Sequence, residues 1–550
     1  MAHYHYETDV LVVGSGAAAF SAAVAAKKNG AEVIMLEKGF LIGGTTLRSG
    51  GGYWIPNNRF QQEKGIVDAK EDALRYMARY SFPQLYNPEA TRLGLPENEY
   101  ALMETYYDRA SEMVEFLENC GAVRSIQEIN WTGKPQVDYM DHLPENKGIR
   151  GRVLYSMNQE GKMSYGGELI RQFKTWTQSN GIKILTNHQA IRILQNSQGE
   201  TVGLEVRANG TEILNFRGRK AVIFGSGGYT HDPELMLHFQ RGPHFGGCAA
   251  PTNTGDFIKM AGRAGAKLGN TAGAFRAEIV LEQALSDPGG VHNIFYIPGD
   301  SVLEVNRYGR RMMDEKRNYN DRAMTHFIWD PQRAEWTNML VFMLFDQRTA
   351  SLWQGFPPYP VQGTTVDHVL SADTWDELGD VLAARLKALS AHTGGFSLDP
   401  DFQENLKQTV ARFNEFAKSG KDQEFHRGEY NYDREWTTFP PTVPGGSSWP
   451  PADTANYTMY PLSNEGPYFA VILGAGTLDT NGGPIINPKA QVLSVENQPI
   501  PGLYGAGNCI ASPTANAYWG AGSTIGPAMT FGYIAGLNAA AEPLKRDEHA

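Results

Sequence analysis

Asp9-Val10-Leu11-Val12-Val13 is a short apolar run suited to a buried parallel strand, and Gly14-Ser15-Gly16-Ala17-Ala18-Ala19 follows it directly. An alanine-rich helix, Phe20 to Asn29, comes next, and a second strand, Glu32 to Leu36, ends at Glu37. Strand, glycine turn and helix in this order predict a Rossmann-like α/β nucleus. Glu37 falls about 20 residues past the turn, where a carboxylate can take both hydroxyls of an adenosine ribose. A dinucleotide is therefore expected at Gly14, Gly16, Ala18, Ala19 and Glu37.

The residues after Glu37 select the dinucleotide. Lys38-Gly39-Phe40-Leu41-Ile42-Gly43-Gly44-Thr45-Thr46 continues into Ser49-Gly50-Gly51-Gly52-Tyr53-Trp54, a second glycine-rich segment that a nicotinamide fold does not need. FAD is longer, and its ribityl chain and ring need their own cradle. A further strand, Ala221 to Phe224, enters Gly225-Ser226-Gly227-Gly228, and Gly502-Leu503-Tyr504-Gly505-Ala506-Gly507-Asn508 has the same form. These four segments resemble the FAD-binding flavoproteins of the fumarate reductase superfamily, in which the last glycine motif supplies a residue near the ribityl chain, here Asn508. The resemblance implies FAD contacts at Lys38, Gly43, Gly44, Thr45, Thr46, Ser49, Gly50, Gly51, Gly52, Ala190, Gly225, Ser226, Gly227, Gly507 and Asn508.

From Gln498 to Ala541 the chain carries no Asp, Glu, Lys, Arg or His. Eight glycines and four prolines interrupt this stretch, so it holds no membrane span, which needs about 20 continuous apolar residues. It reads as backbone pressed against a large neutral ligand. A helix expected to start near Ser523 would aim the free amides of Ser523, Thr524 and Ile525 at an electron-rich edge.

Composition suits a large soluble enzyme. The 550 residues are 41% hydrophobic and include 60 glycines. A net charge of −11 with scattered basic residues disfavours nucleic acid. Cys120, Cys248 and Cys509 are widely spaced and form no metal-ligand pattern, so no metal site is expected. The first residues lack the regions of a signal peptide, and a cytoplasmic setting is expected. The Trp353-Gln354-Gly355-Phe356-Pro357-Pro358-Tyr359-Pro360 segment lines the mouth of a substrate site or gives a peripheral contact with the inner membrane face.

Helical patterns at Glu71 to Tyr80, Asn98 to Cys120 and Glu168 to Asn180 belong to the first part of the chain. A strand-like run at Met339 to Phe345 and amphipathic helices at Trp375 to Ser390 and Asp401 to Ser419 belong to a different unit. The expected plan is a discontinuous FAD-binding domain, 1–279 and 479–550, interrupted by an α+β catalytic cap, 280–478.

The cap carries Asn306-Arg307-Tyr308-Gly309-Arg310-Arg311-Met312-Met313-Asp314-Glu315-Lys316-Arg317-Asn318-Tyr319. Together with Arg412-Phe413-Asn414, Phe425-His426-Arg427-Gly428, Gly466-Pro467-Tyr468-Phe469-Ala470 and the tail Tyr518-Trp519-Gly520-Ala521-Gly522-Ser523-Thr524-Ile525-Gly526-Pro527, it makes the chain resemble the 3-ketosteroid Δ1-dehydrogenases. Trp519 departs from the usual proline and Met312 from the usual phenylalanine. The resemblance implies a catalytic set: Tyr518 and the Gly522 amide polarise the ketone, Tyr319 removes the proton, and Tyr139 assists it, with Tyr155 and Tyr165 as alternatives for this last place. It further implies a 3-ketosteroid substrate, a hydride passed to flavin N5, and an external electron acceptor, a quinone or a dye. A reductase of fumarate or a related unsaturated carboxylate is the alternative function.

These residue types suit that chemistry. A phenol with a pKa near 10 costs about 4 kcal/mol to ionise at pH 7, so Tyr319 needs a donor such as Tyr139 to act as base. Glu315 and Arg311 read as loop-ordering ion-pair formers. Lys316 and Arg317 are either a solvated basic face or, for Arg317, a charge near the phenolate.

Overall fold

In the computed structural model, which describes residues 4–443, 449–451 and 454–546, the strand Tyr6–Val13 sits inside an eight-stranded sheet. Val33–Leu36 and Glu212–Phe224 flank it in parallel, with Lys183–Leu185 beyond the first and Pro499–Gly505 beyond the second. Val10, Leu11 and Val12 have no exposed surface, because both faces of the sheet are covered; hence the run is continuously apolar and not alternating. Val13 lies in register with Leu36 and Phe224, so Gly14, Glu37 and Gly225 emerge side by side at the carboxyl edge, where such sheets bind ligands. The Glu212–Phe224 strand is 13 residues long and exceeds the predicted one, since its first half pairs antiparallel with Thr201–Ala208.

The first helix, Ala17–Lys28, starts at Ala17 and not Phe20, and it is buried from Ala17 to Ala26. Its partner is the tail helix Ile525–Ala541. A Cβ on Gly532 would stand 2.3 Å from the Ala18 carbonyl oxygen, and one on Gly536 2.3 Å from that of Ala22. The second half of the charge-free tail is thus pressed against a helix, which corrects the expectation that a ligand lies along all of it. As far as Ala528 the tail also reaches the ligand clefts, through Asn508, Tyr518, Gly522, Thr524, Ile525 and Ala528.

A second sheet is antiparallel, in the order Ala274–Val280, Tyr468–Thr480, Leu340–Asp346, Val302–Val305, with Val369–Ala372 also on Tyr468–Thr480. Leu340, Phe342 and Leu344 pack toward the helices Trp375–Ala388 and Phe402–Ser419, while Val341, Met343 and Phe345 pack with Trp353 and Tyr359. Trp353 and Tyr359 of the aromatic segment are buried and present no surface to a bilayer. Phe356 of that segment instead packs on Tyr296, which lines an aromatic cleft. Among the described residues no helix is long and apolar enough to cross a membrane. The proline-rich Thr437 to Pro451 stretch falls partly outside the described residues.

The two sheets join where Tyr468–Thr480 ends. There Gly228 N donates to Asp479 Oδ2 at 3.0 Å and Tyr229 N to Thr480 Oγ1 at 2.7 Å.

Candidate active site

Two clefts share a wall at this junction. The first, of about 940 Å³, is lined by Gly14, Gly16, Ala18, Glu37, Lys38, Gly44, Thr45, Thr46, Ser49, Ala190, Gly225, Ser226, Gly227, Gly507, Asn508, Thr524 and Ile525, all expected cofactor residues. Gly50, Gly51 and Gly52 line the second cleft. Ala19, Gly43 and Ser523 line neither and stand behind the walls. Ala19 backs Gly225, whose Cβ would meet Ala19 N at 2.8 Å. Gly43, with φ of 112°, caps the helix Gly44–Arg48. Ser523 Oγ closes a turn onto Gly520, donating to its carbonyl at 2.8 Å.

The geometry of the first cleft fits FAD. Gly14 has φ of 103°, and a Cβ there would come 2.4 Å from the Gly225 carbonyl oxygen, so the turn admits no side chain. At Gly16 the nearest atom to a Cβ is Thr46 Oγ1 at 3.5 Å; the protein leaves room there, and the constraint comes from the cleft side. Ser226 Oγ is buried on the cleft wall without a hydrogen-bond partner. Glu37 accepts from Ser15 Oγ at 2.5 Å and Gly39 N at 2.7 Å, while burial pushes its pKa up. Glu37 would hold ribose hydroxyls, the Gly14–Ala18 turn the pyrophosphate and Asn508 the ribityl chain.

Sequence reasoning missed Asp479, which lines both clefts. Its carboxylate accepts from Gly228 N, Asn253 Nδ2 at 2.7 Å, Thr230 Oγ1 at 3.0 Å and Asn508 Nδ2 at 3.1 Å. It therefore sets the orientation of Asn508. His188, Asn253 and Asp256 also line the first cleft, from a strand, a loop and the start of the helix Asp256–Ala261.

The second cleft, of about 870 Å³, brings Tyr139, Tyr319, Tyr518 and Gly522 together, with Tyr155, Phe295, Tyr296 and Trp436 as aromatic walls. Tyr319 opens the helix Tyr319–Met324, whose Asn318 cap accepts from Asp321 N. Tyr139 N donates to the Trp519 carbonyl at 3.2 Å, tying that loop to the residue after Tyr518. The Tyr139 hydroxyl donates to Tyr319 Oη at 2.6 Å. The Tyr139 and Tyr518 rings stack at 5.1 Å, and the Tyr319 ring stands edge-on to Tyr518 at 5.4 Å. Of the two alternatives to Tyr139, Tyr155 shares the cleft and Tyr165 is 67% exposed. Gly522, with φ of 88°, would drive a Cβ to 2.4 Å from the Gly52 carbonyl, so its amide meets the cleft without a side chain.

Burial raises the pKa of all three phenols. For Tyr319 burial dominates, the neighbouring Tyr518 adds to it, and the Tyr139 hydrogen bond opposes it; the result is well above the ordinary value. Tyr518 is raised less, because hydrogen bonds from Tyr319, Thr524 and the Gly522 amide oppose its burial. The phenol and Gly522 line the same cleft.

Lys316 and Arg317 are not a solvated face. Lys316 is fully buried, with Nζ donating to the Gly299 carbonyl at 2.5 Å, and its pKa is driven well down by burial. Arg317 pairs with Asp433 at 2.8 Å and donates to the Tyr139 carbonyl at 2.8 Å, so it holds the backbone of Tyr139. Glu315 accepts from Arg311 and Arg427 in a buried cluster.

The model of the FAD binding domain family matches residues 9–525. The 4-oxocyclohexanecarboxylate 2-dehydrogenase of Sinomonas cyclohexanicum is 30% identical over 576 residues, spanning 98% of this chain and 94% of that one. The 3-oxosteroid 1-dehydrogenase of Mycolicibacterium smegmatis is 28% identical over 603 residues, 97% of each chain. The solved 3-ketosteroid Δ1-dehydrogenase of Sterolibacterium denitrificans, in complex with 1,4-androstadiene-3,17-dione, shares the fold with a TM-score of 0.79 at 23% identity, covering 97% of this chain and 99% of that one. The chain belongs to the FAD binding domain family and is an FAD-binding oxidoreductase.

Proposed function

We propose that the protein dehydrogenates the two ring carbons beside a ketone, in the manner of a 3-ketosteroid 1,2-dehydrogenase converting a 3-keto-4-ene to a 3-keto-1,4-diene. The observation that carries this reading is the convergence of three phenols and the Gly522 amide in a cleft that shares Thr45, Ser49, Asp479, Asn508, Thr524 and Ile525 with the cofactor cleft. The Sinomonas and Mycolicibacterium relatives both dehydrogenate an oxo compound by name, one a single ring and one a steroid.

In this mechanism the Tyr518 hydroxyl and Gly522 amide donate to the ketone oxygen, where charge develops as the neighbouring proton leaves. A single donor of this kind is worth about 3 to 4 kcal/mol. In accepting from Tyr518, the ketone oxygen favours the neutral form of that phenol. Tyr319, supported by the Tyr139 donor, is then the group that ionises and takes the proton from carbon 2. Bound FAD supplies the acceptor for the hydride that leaves carbon 1. Aromatic walls keep water from the enolate. Electrons leave to an external quinone-type acceptor. The unit built on the second sheet serves as the cap.

A fumarate-type reductase needs cations for two carboxylates. The second cleft offers one arginine, Arg48, against five phenols. Purified protein with an artificial electron acceptor is tested on androst-4-ene-3,17-dione, 4-oxocyclohexanecarboxylate and succinate. Turnover of a ring ketone and not of succinate is expected; the reverse refutes the reading.

A further inference from the structure

We propose that Arg48 is the receptor for a carboxylate on the substrate, so that the second cleft takes a ring ketone bearing an anionic group. This rests on reading that cleft as the ring-ketone site. Arg48 closes the helix Gly44–Arg48 and lines the same cleft as Tyr139, Tyr319, Tyr518 and Gly522. It is the one cationic side chain on the described walls of that cleft.

Its guanidinium is held by two backbone carbonyls, Nη1 donating to Ala249 at 2.9 Å and Nη2 to Gly289. These orient the group without neutralising it. No described carboxylate pairs with Arg48. A guanidinium has five N–H donors, so about three remain for a ligand. Asp479, the carboxylate of the cleft, is committed to Gly228, Thr230, Asn253 and Asn508. The charges of Asp479 and Arg48 both act on Cys248, whose thiol is pushed up to about 12 by burial, with Asp479 adding and Arg48 opposing.

A purely bracing role accounts for the two carbonyl bonds. It leaves a half-buried charge without a carboxylate partner on a cleft walled by Tyr155, Phe295, Tyr296 and Trp436. A carboxylate satisfies the free edge of a guanidinium with two parallel hydrogen bonds, a geometry that lysine does not reproduce.

The test uses the FAD-loaded protein and two aromatic probes whose rings hold no saturated CH–CH pair to dehydrogenate, 4-hydroxybenzoate and its methyl ester, titrated calorimetrically. The acid is expected to bind roughly 10- to 100-fold more tightly than the ester, the range of one charge-assisted hydrogen-bonded contact. Arg48→Gln should erase that ratio and Arg48→Lys restore part of it. Equal affinities in the wild type, or an acid preference that survives Arg48→Gln, overturn the assignment. Turnover separates this from the activity itself. A wild type that oxidises no ring ketone refutes the dehydrogenase reading. One that oxidises methyl 4-oxocyclohexanecarboxylate as efficiently as the free acid refutes the role of Arg48 alone. Comparing 4-oxocyclohexanecarboxylate with 3-oxochol-4-en-24-oate decides whether the anion sits on a small ring or a steroid side chain.

Discussion

Tyr139 donates its hydroxyl hydrogen to Tyr319 at 2.6 Å while its own ring stacks on Tyr518 at 5.1 Å, so one residue touches both the phenol proposed as base and the phenol proposed to polarise the ketone. Its position is fixed by its neighbours: Trp519 accepts from its amide and Arg317 donates to its carbonyl. In the proposed mechanism Tyr139 is a positioning residue, held by the loops around it.

Gly16→Val tests the cofactor turn. With 3.5 Å between a Cβ and the nearest protein atom, the variant should fold with a near-normal melting temperature and purify colourless, because the added carbons occupy the cleft. A yellow protein with stoichiometric FAD would show that the turn does not carry the pyrophosphate.

Tyr518→Phe removes one ketone donor and leaves the ring that stacks on Tyr139. Turnover should fall about 100-fold or more with an unchanged flavin absorbance spectrum. A loss of only a few-fold would exclude Tyr518 from the chemistry.

Glu315→Ala tests the buried cluster beneath the cap motif. The variant leaves Arg311 and Arg427 without their shared carboxylate, a loss of about 3 to 5 kcal/mol measurable by urea unfolding. In the wild type, burial opposes the Glu315 charge, but the two arginines outweigh it and hold its pKa below the ordinary value. A depressed carboxylate pKa gives stability that is present above the unfolded pKa and is lost as pH falls through the folded one. The stability gap between wild type and variant should therefore close in acid. A gap that stays constant from neutral pH to strong acid would contradict the assignment.

The cofactor turn was legible because its parts are contiguous: strand, glycines, helix and Glu37 succeed one another, and the parallel register then brings Gly225 beside them. Asp479 and Arg48 were not legible. Each reaches its cleft from an element whose local pattern serves another purpose, Asp479 at the end of the strand Tyr468–Thr480 and Arg48 at the last turn of a five-residue helix. The tail misled in part because glycine and lack of charge have two physical causes, close approach to a ligand and close approach of two helices, and this segment has both. Lys316 and Arg317 looked exposed because a charged run is usually solvated. Here carbonyls and carboxylates from distant loops meet them inside the protein.

The central claim is that Tyr319 ionises to take the proton, and the pH dependence of flavin reduction tests it most directly. Because the Tyr319 pKa is raised in the fold, its basic form grows as pH climbs, and the reduction rate should rise across roughly pH 6 to 10. Tyr139→Phe removes the donor that opposes the rise and should displace the climb to higher pH. Tyr319→Phe should flatten it and slow reduction while ketone binding persists through Tyr518 and Gly522. Stopped-flow absorbance with a ring ketone, with affinity titrated separately, measures all three. A Tyr319→Phe protein that reduces its flavin at the wild-type rate with the same pH dependence would contradict the account.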